Sequence, residues 1–296
     1  MKIIQSLWSK PGFKKDKLND SDRNKGGWTD KKYNYFSWAL SCLQFRKYYD
    51  EVELVTDKPG YDLLVNKLEL PYTSVKTVLD DLNQYHTDLW ALGKIYAYRM
   101  QDKPFIHADG DVYIWEKFDE KLEAASLLAQ NIEEGFFCYK GIFKNITDNF
   151  EFVPDSLLAS IDKHEGIVAV SAGIIGGKNT WFFKKFANRV FEFVDKNYAH
   201  LHKIDIGMFN LVFEQFFLKA QAEAEGLEFN YFASNVNQSF DGLADLTGVP
   251  ARVKYIHPVG IHKKMNLTGN LVAYQLQKEH PVYYYKIMNL LRTCQV

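Results

Sequence analysis

Two carboxylates one residue apart, Asp109 and Asp111, flank Gly110 between the apolar pair Phe105-Ile106 and the apolar run Val112-Tyr113-Ile114-Trp115. A buried strand ending on such a pair presents two hard oxygen donors side by side. That suits Mg²⁺ or Mn²⁺, which favour carboxylates together with substrate phosphates. Asp and Gly are equally the residues of an ordinary solvated turn, so the pair acquires meaning only from partners elsewhere in the chain. The stretch His257-Pro258-Val259-Gly260-Ile261-His262-Lys263-Lys264 offers them. An imidazole at His257 is a suitable third ligand for Mn²⁺. Gly260 lets backbone come close to a diphosphate, and Lys263, with His262 or Lys264 nearby, opposes the charge of a departing phosphate. Read together, the two stretches describe a metal–diphosphate clamp; read alone, the second is a solvated basic loop.

The elements that must position these groups alternate between strand and helix. Lys2 to Trp8 reads as a first strand. Apolar residues at Tyr33, Phe36, Leu40 and Leu43 predict a helix over 29–48. Val52 to Thr56 is a strand ended by the turn signal Asp57-Lys58-Pro59-Gly60, with a short helix over 61–68 and a strand over 74–78. Thr87 caps a helix expected over 88–101, and the Asp109 strand follows Lys103-Pro104. This pattern is that of an open α/β sheet with crossover helices, in which ligands bind beyond the carboxyl ends of the strands. Asp109 and Asp111 lie at such an end. Further on, residues 121–129 read as a helix or a continued edge, Gly135 to Tyr139 as a strand and 145–155 as a loop. Ile167 to Gly177 reads as a strand reaching a glycine bend where backbone approaches something closely. Helices are expected over 179–197 and 208–224, their phenylalanine stripes forming core, with a late strand over 252–257. The polar run from Lys14 to Asp22 is a solvated loop or a flap over a phosphate-bearing ligand.

Composition narrows the function classes. The chain has 36 Lys and Arg against 37 Asp and Glu, which gives no nucleic-acid footprint. Three dispersed cysteines, Cys42, Cys138 and Cys294, suggest neither a disulfide framework nor a zinc site. The first residues lack the apolar core of a signal peptide, and no run reaches the roughly 18 apolar residues of a membrane span. A cytoplasmic protein is expected.

Asp109-Gly110-Asp111 and His257-x-x-Gly260-x-x-Lys263 resemble the two hallmark motifs of retaining glycosyltransferases with the GT-A fold, the family 8 type in particular. The resemblance implies a Rossmann-like α/β nucleotide-diphospho-sugar transferase fold with a mixed central sheet flanked by helices. It implies a single catalytic domain over 1–296, with a nucleotide-binding half to about residue 115, an acceptor half to about 270 and a helical tail after it. Asp109, Asp111 and His257 take the metal role for Mn²⁺ (or Mg²⁺), and Lys263, with Gly260, the diphosphate role. Ser171-Ala172-Gly173 is similar to the family's Asn-Ala-Gly segment lining the donor sugar, with Ser171 in place of asparagine. Asp205-Ile206-Gly207-Met208-Phe209-Asn210 is similar to its Asp-Gln-Asp-x-x-Asn segment, but Ile206 and Gly207 depart from it. Asp205, with Glu214 and Gln215 further along, is therefore the catalytic candidate beneath the anomeric carbon. Lys94 stands near the place of a basic residue facing the donor, and Gln5 to Trp8 near the base.

The implied activity is sugar transfer from a nucleotide-diphosphate donor, expected to be UDP-linked, to an acceptor hydroxyl on a glycan, lipid-linked or protein partner. Two other readings stay open: a metal-dependent phosphohydrolase or nucleotidyltransferase, and a non-catalytic sugar- or nucleotide-binding module. The run Tyr283-Tyr284-Tyr285-Lys286-Ile287-Met288 is a docked terminal helix or, at most, a peripheral membrane contact.

Overall fold

The structure is a computed structural model and describes residues 1–13, 25–139, 141–234 and 236–296. The polar run Lys14 to Asp22 lies outside the described residues. In chain order the elements begin with β1 (Lys2–Leu7), α1 (Lys31–Tyr48) and β2 (Val52–Thr56). The Asp30 carboxylate starts α1 by accepting from the Lys32 N–H, satisfying a donor that has no partner inside the helix. Asp57 to Gly60 is not a turn but a helix start. Asp57 is the N-cap of α2 (Lys58–Tyr61), accepting from Gly60, and Pro59 occupies the first turn, where a missing N–H is harmless. The helix runs on in π geometry over Asp62–Lys67 before β3 (Ser74–Thr77).

The next helix, α3 (Leu92–Arg99), begins later than the Thr87 cap implies. The Asn210 side chain accepts from the Ala91 N–H at 2.9 Å and donates to the Asp88 carbonyl at 2.7 Å. A distant side chain thus holds residues 88–91 where a helical ladder was expected. β4 (Phe105–Ala108), β5 (Tyr113–Ile114), α4 (Glu120–Glu123), β6 (Leu127–Ala129) and β7 (Ile132–Glu134) follow. Gly135 to Tyr139 is not a strand: Gly135 turns left-handed at φ 67 and Phe137–Tyr139 forms a 3₁₀ turn. The span 145–155 is not a loop throughout, because α5 (Ile142–Asn149) and α6 (Asp155–His164) occupy most of it.

β8 (Val168–Val170) and β9 (Ile174–Gly177) come next, then α7 (Thr180–Lys196), capped by Asn179. α8 (Ile206–Leu211) passes through a π segment, Val212–Phe216, into α9 (Phe217–Ala224). β10 (Phe229–Tyr231), β11 (Tyr255–Ile256), α10 (Asn266–Glu279) and α11 (Pro281–Arg292) complete the chain. No helix among the described residues is long and apolar enough to cross a membrane.

The chain divides into two compact units. The first comprises residues 1–87, 108–118 and 239–296. Its strands β1, β2 and β3 are parallel, with Ile3 opposite Val52 and Glu53 opposite Ser74, as crossover helices require. Its core joins α1, α10 and α11 through Trp28, Tyr33, Phe36, Leu40, Val272, Leu276 and Ile287, all buried. The second unit comprises residues 88–107 and 119–238. Its strand order is β10, β6, β9, β4, with β10 parallel and β9 antiparallel to β6. The fold is therefore mixed α/β, and the phenylalanine stripes are core: Phe193, Phe209 and Phe213 meet edge-on at 5.1 Å between successive rings, a preferred aromatic geometry. The glycines at the end of β9 lie against backbone. A Cβ at Gly176 would stand 2.1 Å from the Phe105 carbonyl oxygen, and one at Gly177 2.1 Å from that of Ser126. They admit neighbouring strands.

Candidate metal centre

β4 is buried along its whole length and delivers the chain into a tight turn, in which the Val112 N–H donates to the Asp109 carbonyl at 3.1 Å. Helix α1 grips that turn. Ser41 Oγ donates to the Val112 carbonyl at 2.6 Å, Ser37 Oγ to the Gly110 carbonyl at 2.9 Å, and Tyr113 OH lies 2.7 Å from Ser37 Oγ. Gln5 of β1 is fully buried. Its amide donates to Ser41 Oγ at 2.8 Å and its carbonyl accepts from Tyr72 OH at 2.9 Å, so it braces the turn from below. Gly110 is required by a neighbour: a Cβ there would lie 2.5 Å from Trp38 Cε2. Ser37, Trp38 and Ser41 are supports that motif reading misses. Their signal was present, since serines four residues apart on a buried helix face need polar partners.

His257 reaches the same place by a separate route. β11 pairs antiparallel with β5, Ile256 opposite Tyr113 and Tyr255 opposite Ile114, and the His257 N–H donates to the Leu243 carbonyl at 2.8 Å. The residue after Ile256 therefore comes to the residues just before Tyr113. One ligand atom from each of Asp109, Asp111 and His257 lies within 4.8 Å of the others. His257 Nε2 is 3.5 Å from Asp111 Oδ1, and the Lys263 ammonium is in contact with Asp111 Oδ2.

Two carboxylates and an imidazole are a donor set for a divalent first-row ion. Their separations, all within 4.8 Å, are of the order spanned by ligands sharing one ion at metal–oxygen distances of about 2.1 Å. The residues fit the ion. Charge at the site leaves its mark on the neighbours. Burial pushes the Asp111 carboxyl up, but Lys263 and His257 outweigh it and hold the group well below the usual carboxylate range. Burial, followed by the Asp109 and Asp111 charges, pushes the Tyr255 phenol well up.

Residues 1–290 match the DUF6734 family, described as a family of unknown function. The chain belongs to that family. No curated protein matches it in sequence. Among solved structures, the galactosyltransferase LgtC in complex with donor and acceptor sugar analogues is similar at 12% identity, over 72% of this chain and 70% of that one, with a TM-score of 0.36. An active-site mutant of LgtC is similar at 11% identity over the same shares, with a TM-score of 0.38.

The other residues singled out in this DUF6734 sequence fall in different places. Gly260 shares the first unit with the acidic pair and opens the 3₁₀ turn Gly260–Lys264. Its φ of 56 is left-handed and a Cβ there would meet nothing, so backbone conformation alone selects glycine. Lys94, Ser171, Ala172, Gly173, Asp205, Glu214 and Gln215 all belong to the second unit. There Lys94 Nζ pairs with Glu214 Oε1 at 2.7 Å, and Glu214 is buried in the π segment. The Tyr139 hydroxyl lies 2.6 Å from Gln215 Oε1 and from Glu133 Oε2. Asp205 caps α8, accepting from Met208 at 3.0 Å. Ser171 is buried between β8 and β9, its hydroxyl accepting from Gln130 at 3.1 Å.

Proposed function

We propose that this DUF6734 protein is a metal-dependent glycosyltransferase that moves a sugar from a nucleotide-diphosphate donor, expected to be UDP-linked, to an acceptor hydroxyl with retention of configuration. The observation that carries the reading is the convergence of Asp109, Asp111 and His257 within 4.8 Å, with Lys263 against the same cluster. Asp109, Asp111 and His257 would hold Mn²⁺ or Mg²⁺. When bound, such an ion supplies Lewis acidity to the oxygens of the leaving diphosphate. Lys263 supplies a second positive charge where negative charge accumulates, and Gly260, having no side chain, lets the backbone come close to the diphosphate. The setting, in which Asp111, His257, Tyr113 and Tyr255 are all buried, strengthens each of these interactions relative to water. Residues to about 115 would serve the nucleotide and the following stretch to about 270 the acceptor. Asp205, Glu214 and Gln215 are the candidates for steadying the reacting sugar, and Lys94 with Ser171, Ala172 and Gly173 for contacting the donor.

The test is release of UDP from a panel of UDP-sugars with and without Mn²⁺, in the wild-type chain and in Asp109→Asn and His257→Ala. The expected result is metal-dependent release that falls at least a hundredfold in both variants while their melting transitions stay cooperative. Full activity of either variant refutes the assignment. Metal-dependent UDP binding with neither hydrolysis nor transfer would make the protein a binding module, and phosphate release without sugar transfer a phosphohydrolase.

A further inference from the structure

We propose that Lys263 is a built-in counter-ion of the metal centre, which a divalent cation must displace before it binds. The inference rests on the reading of Asp109, Asp111 and His257 as metal ligands and adds to it a competitor from the same chain.

Both oxygens of Asp111 face positive or donor groups: Oδ2 contacts the Lys263 ammonium and Oδ1 stands 3.5 Å from His257 Nε2. Lys263 is not merely swept across the surface. Its ammonium also donates to the Gly26 carbonyl at 3.2 Å and lies 5.9 Å from the centre of the Trp28 ring, within cation–π range. Its stem passes over Gly27, where a Cβ would come 3.3 Å from Cδ. Gly27 itself is left-handed at φ 84. Four neighbours thus define one seat for the ammonium, and that seat is beside the carboxylate oxygen a cation needs.

A dication coordinated by Asp111 Oδ2 would stand within contact distance of this like charge, in surroundings more buried than exposed. The ion and the ammonium cannot both keep Oδ2. Either the cation is repelled, or Lys263 leaves Asp111 and the backbone and ring of Gly26 to Trp28. Once released, the same ammonium is available to an anionic ligand on the ion, so metal and diphosphate favour one another's binding through one side chain. Without an ion, the pairing neutralises one of two adjacent carboxylates and keeps the acidic turn folded.

The experiment measures Mn²⁺ binding to the full chain without nucleotide, by calorimetry and by the electron paramagnetic resonance signal of free Mn²⁺. Lys263→Met keeps the stem over Gly27 and Trp28 and removes the charge. Lys264→Met removes an equal charge one residue on, from an exposed position. Lys263→Met is expected to bind Mn²⁺ at least tenfold more tightly than the wild type, and Lys264→Met within about twofold of it. In the wild-type chain, reductive methylation of Lys263 read by mass spectrometry should accelerate severalfold on adding Mn²⁺, with Lys264 unchanged; this measurement stands even if a variant does not fold. Wild-type Mn²⁺ binding that Lys263→Met leaves unchanged or weakens overturns the competition while sparing the metal centre. Equal tightening in Lys264→Met overturns it in favour of general charge. Absence of Mn²⁺ binding in wild type and both variants overturns the metal centre itself.

Discussion

Replacing Gly110 by alanine tests whether α1 builds the acidic turn. The new Cβ would lie 2.5, 2.6 and 2.7 Å from three atoms of the Trp38 indole, where carbon–carbon contact needs about 3.5 Å. Roughly an ångström must be recovered by moving the ring or the turn. Trp38 is buried and sits on the helix whose Ser37 and Ser41 hold the Gly110 and Val112 carbonyls. Neither partner moves without stretching those bonds. Overpacking costs about 1–3 kcal/mol, and one weakened hydrogen bond adds about 1 kcal/mol, so a loss of ~2–4 kcal/mol is expected. At ~2.1 cal/mol/K per residue over 296 residues, the unfolding entropy is ~0.6 kcal/mol/K. The melting temperature should therefore fall by ~3–6 °C. Because the turn carries both carboxylates, Mn²⁺ affinity should fall by about 10–100-fold, the usual consequence of disturbing a ligand's support. Gly242→Ala is the control, since a Cβ there meets nothing; it should leave both quantities within error. Calorimetric melting and Mn²⁺ titration of the two variants decide the matter. A Gly110→Ala protein with unaltered melting and metal affinity would refute the account of how the turn is held.

Two further predictions concern the second unit. Lys94→Met should destabilise the chain by about 3–5 kcal/mol in denaturant titration, because it leaves Glu214 charged and buried; adding Glu214→Gln should recover more than half, and strict additivity of the two losses would contradict the pairing. His107 should make stability fall in mild acid. Burial, then the Lys94 charge, holds its imidazole well below the usual histidine range. Below about pH 6.5 the unfolded chain takes up a proton that the folded chain refuses. Each pH unit below that point should cost up to about 1.4 kcal/mol until the folded group titrates. His107→Phe should flatten the slope in this window. Asp111, whose folded carboxyl is depressed, acts in the same direction only below the unfolded carboxylate range near pH 4, so the two windows separate.

The convergence of Asp109, Asp111 and His257 was legible because ligand chemistry restricts residue types. Few side chains other than Asp, Glu and His hold a divalent ion beside phosphate, and elsewhere some helix starts and strand orders follow from the pattern of elements. Asn179 at the start of α7 and the parallel order of β1, β2 and β3 are examples. What escaped depended on contacts distant in sequence. The start of α3 is set by Asn210, 119 residues away along the chain. The pairing that brings His257 to Asp111 is between strands of two residues each, too short for any periodicity to reveal. Asp57 to Gly60 held turn residues that also suit a capped helix start, and only the bond from Gly60 to Asp57 separates the two.

Glycine shows most clearly where such reading stops. Gly110, Gly176 and Gly260 are indistinguishable as letters, and the sequence suggested a close approach to the backbone at Gly176 and Gly260. Gly176 instead admits the Phe105 strand and Gly110 admits the Trp38 ring. Among these three, Gly260 alone has open space where a side chain would be, together with a left-handed backbone that disfavours one. A substitution at Gly110 or Gly176 therefore acts through packing, whereas Gly260→Ala strains the loop that carries Lys263. Position for position, the glycine whose surroundings are emptiest is the one whose freedom bears most directly on the proposed chemistry.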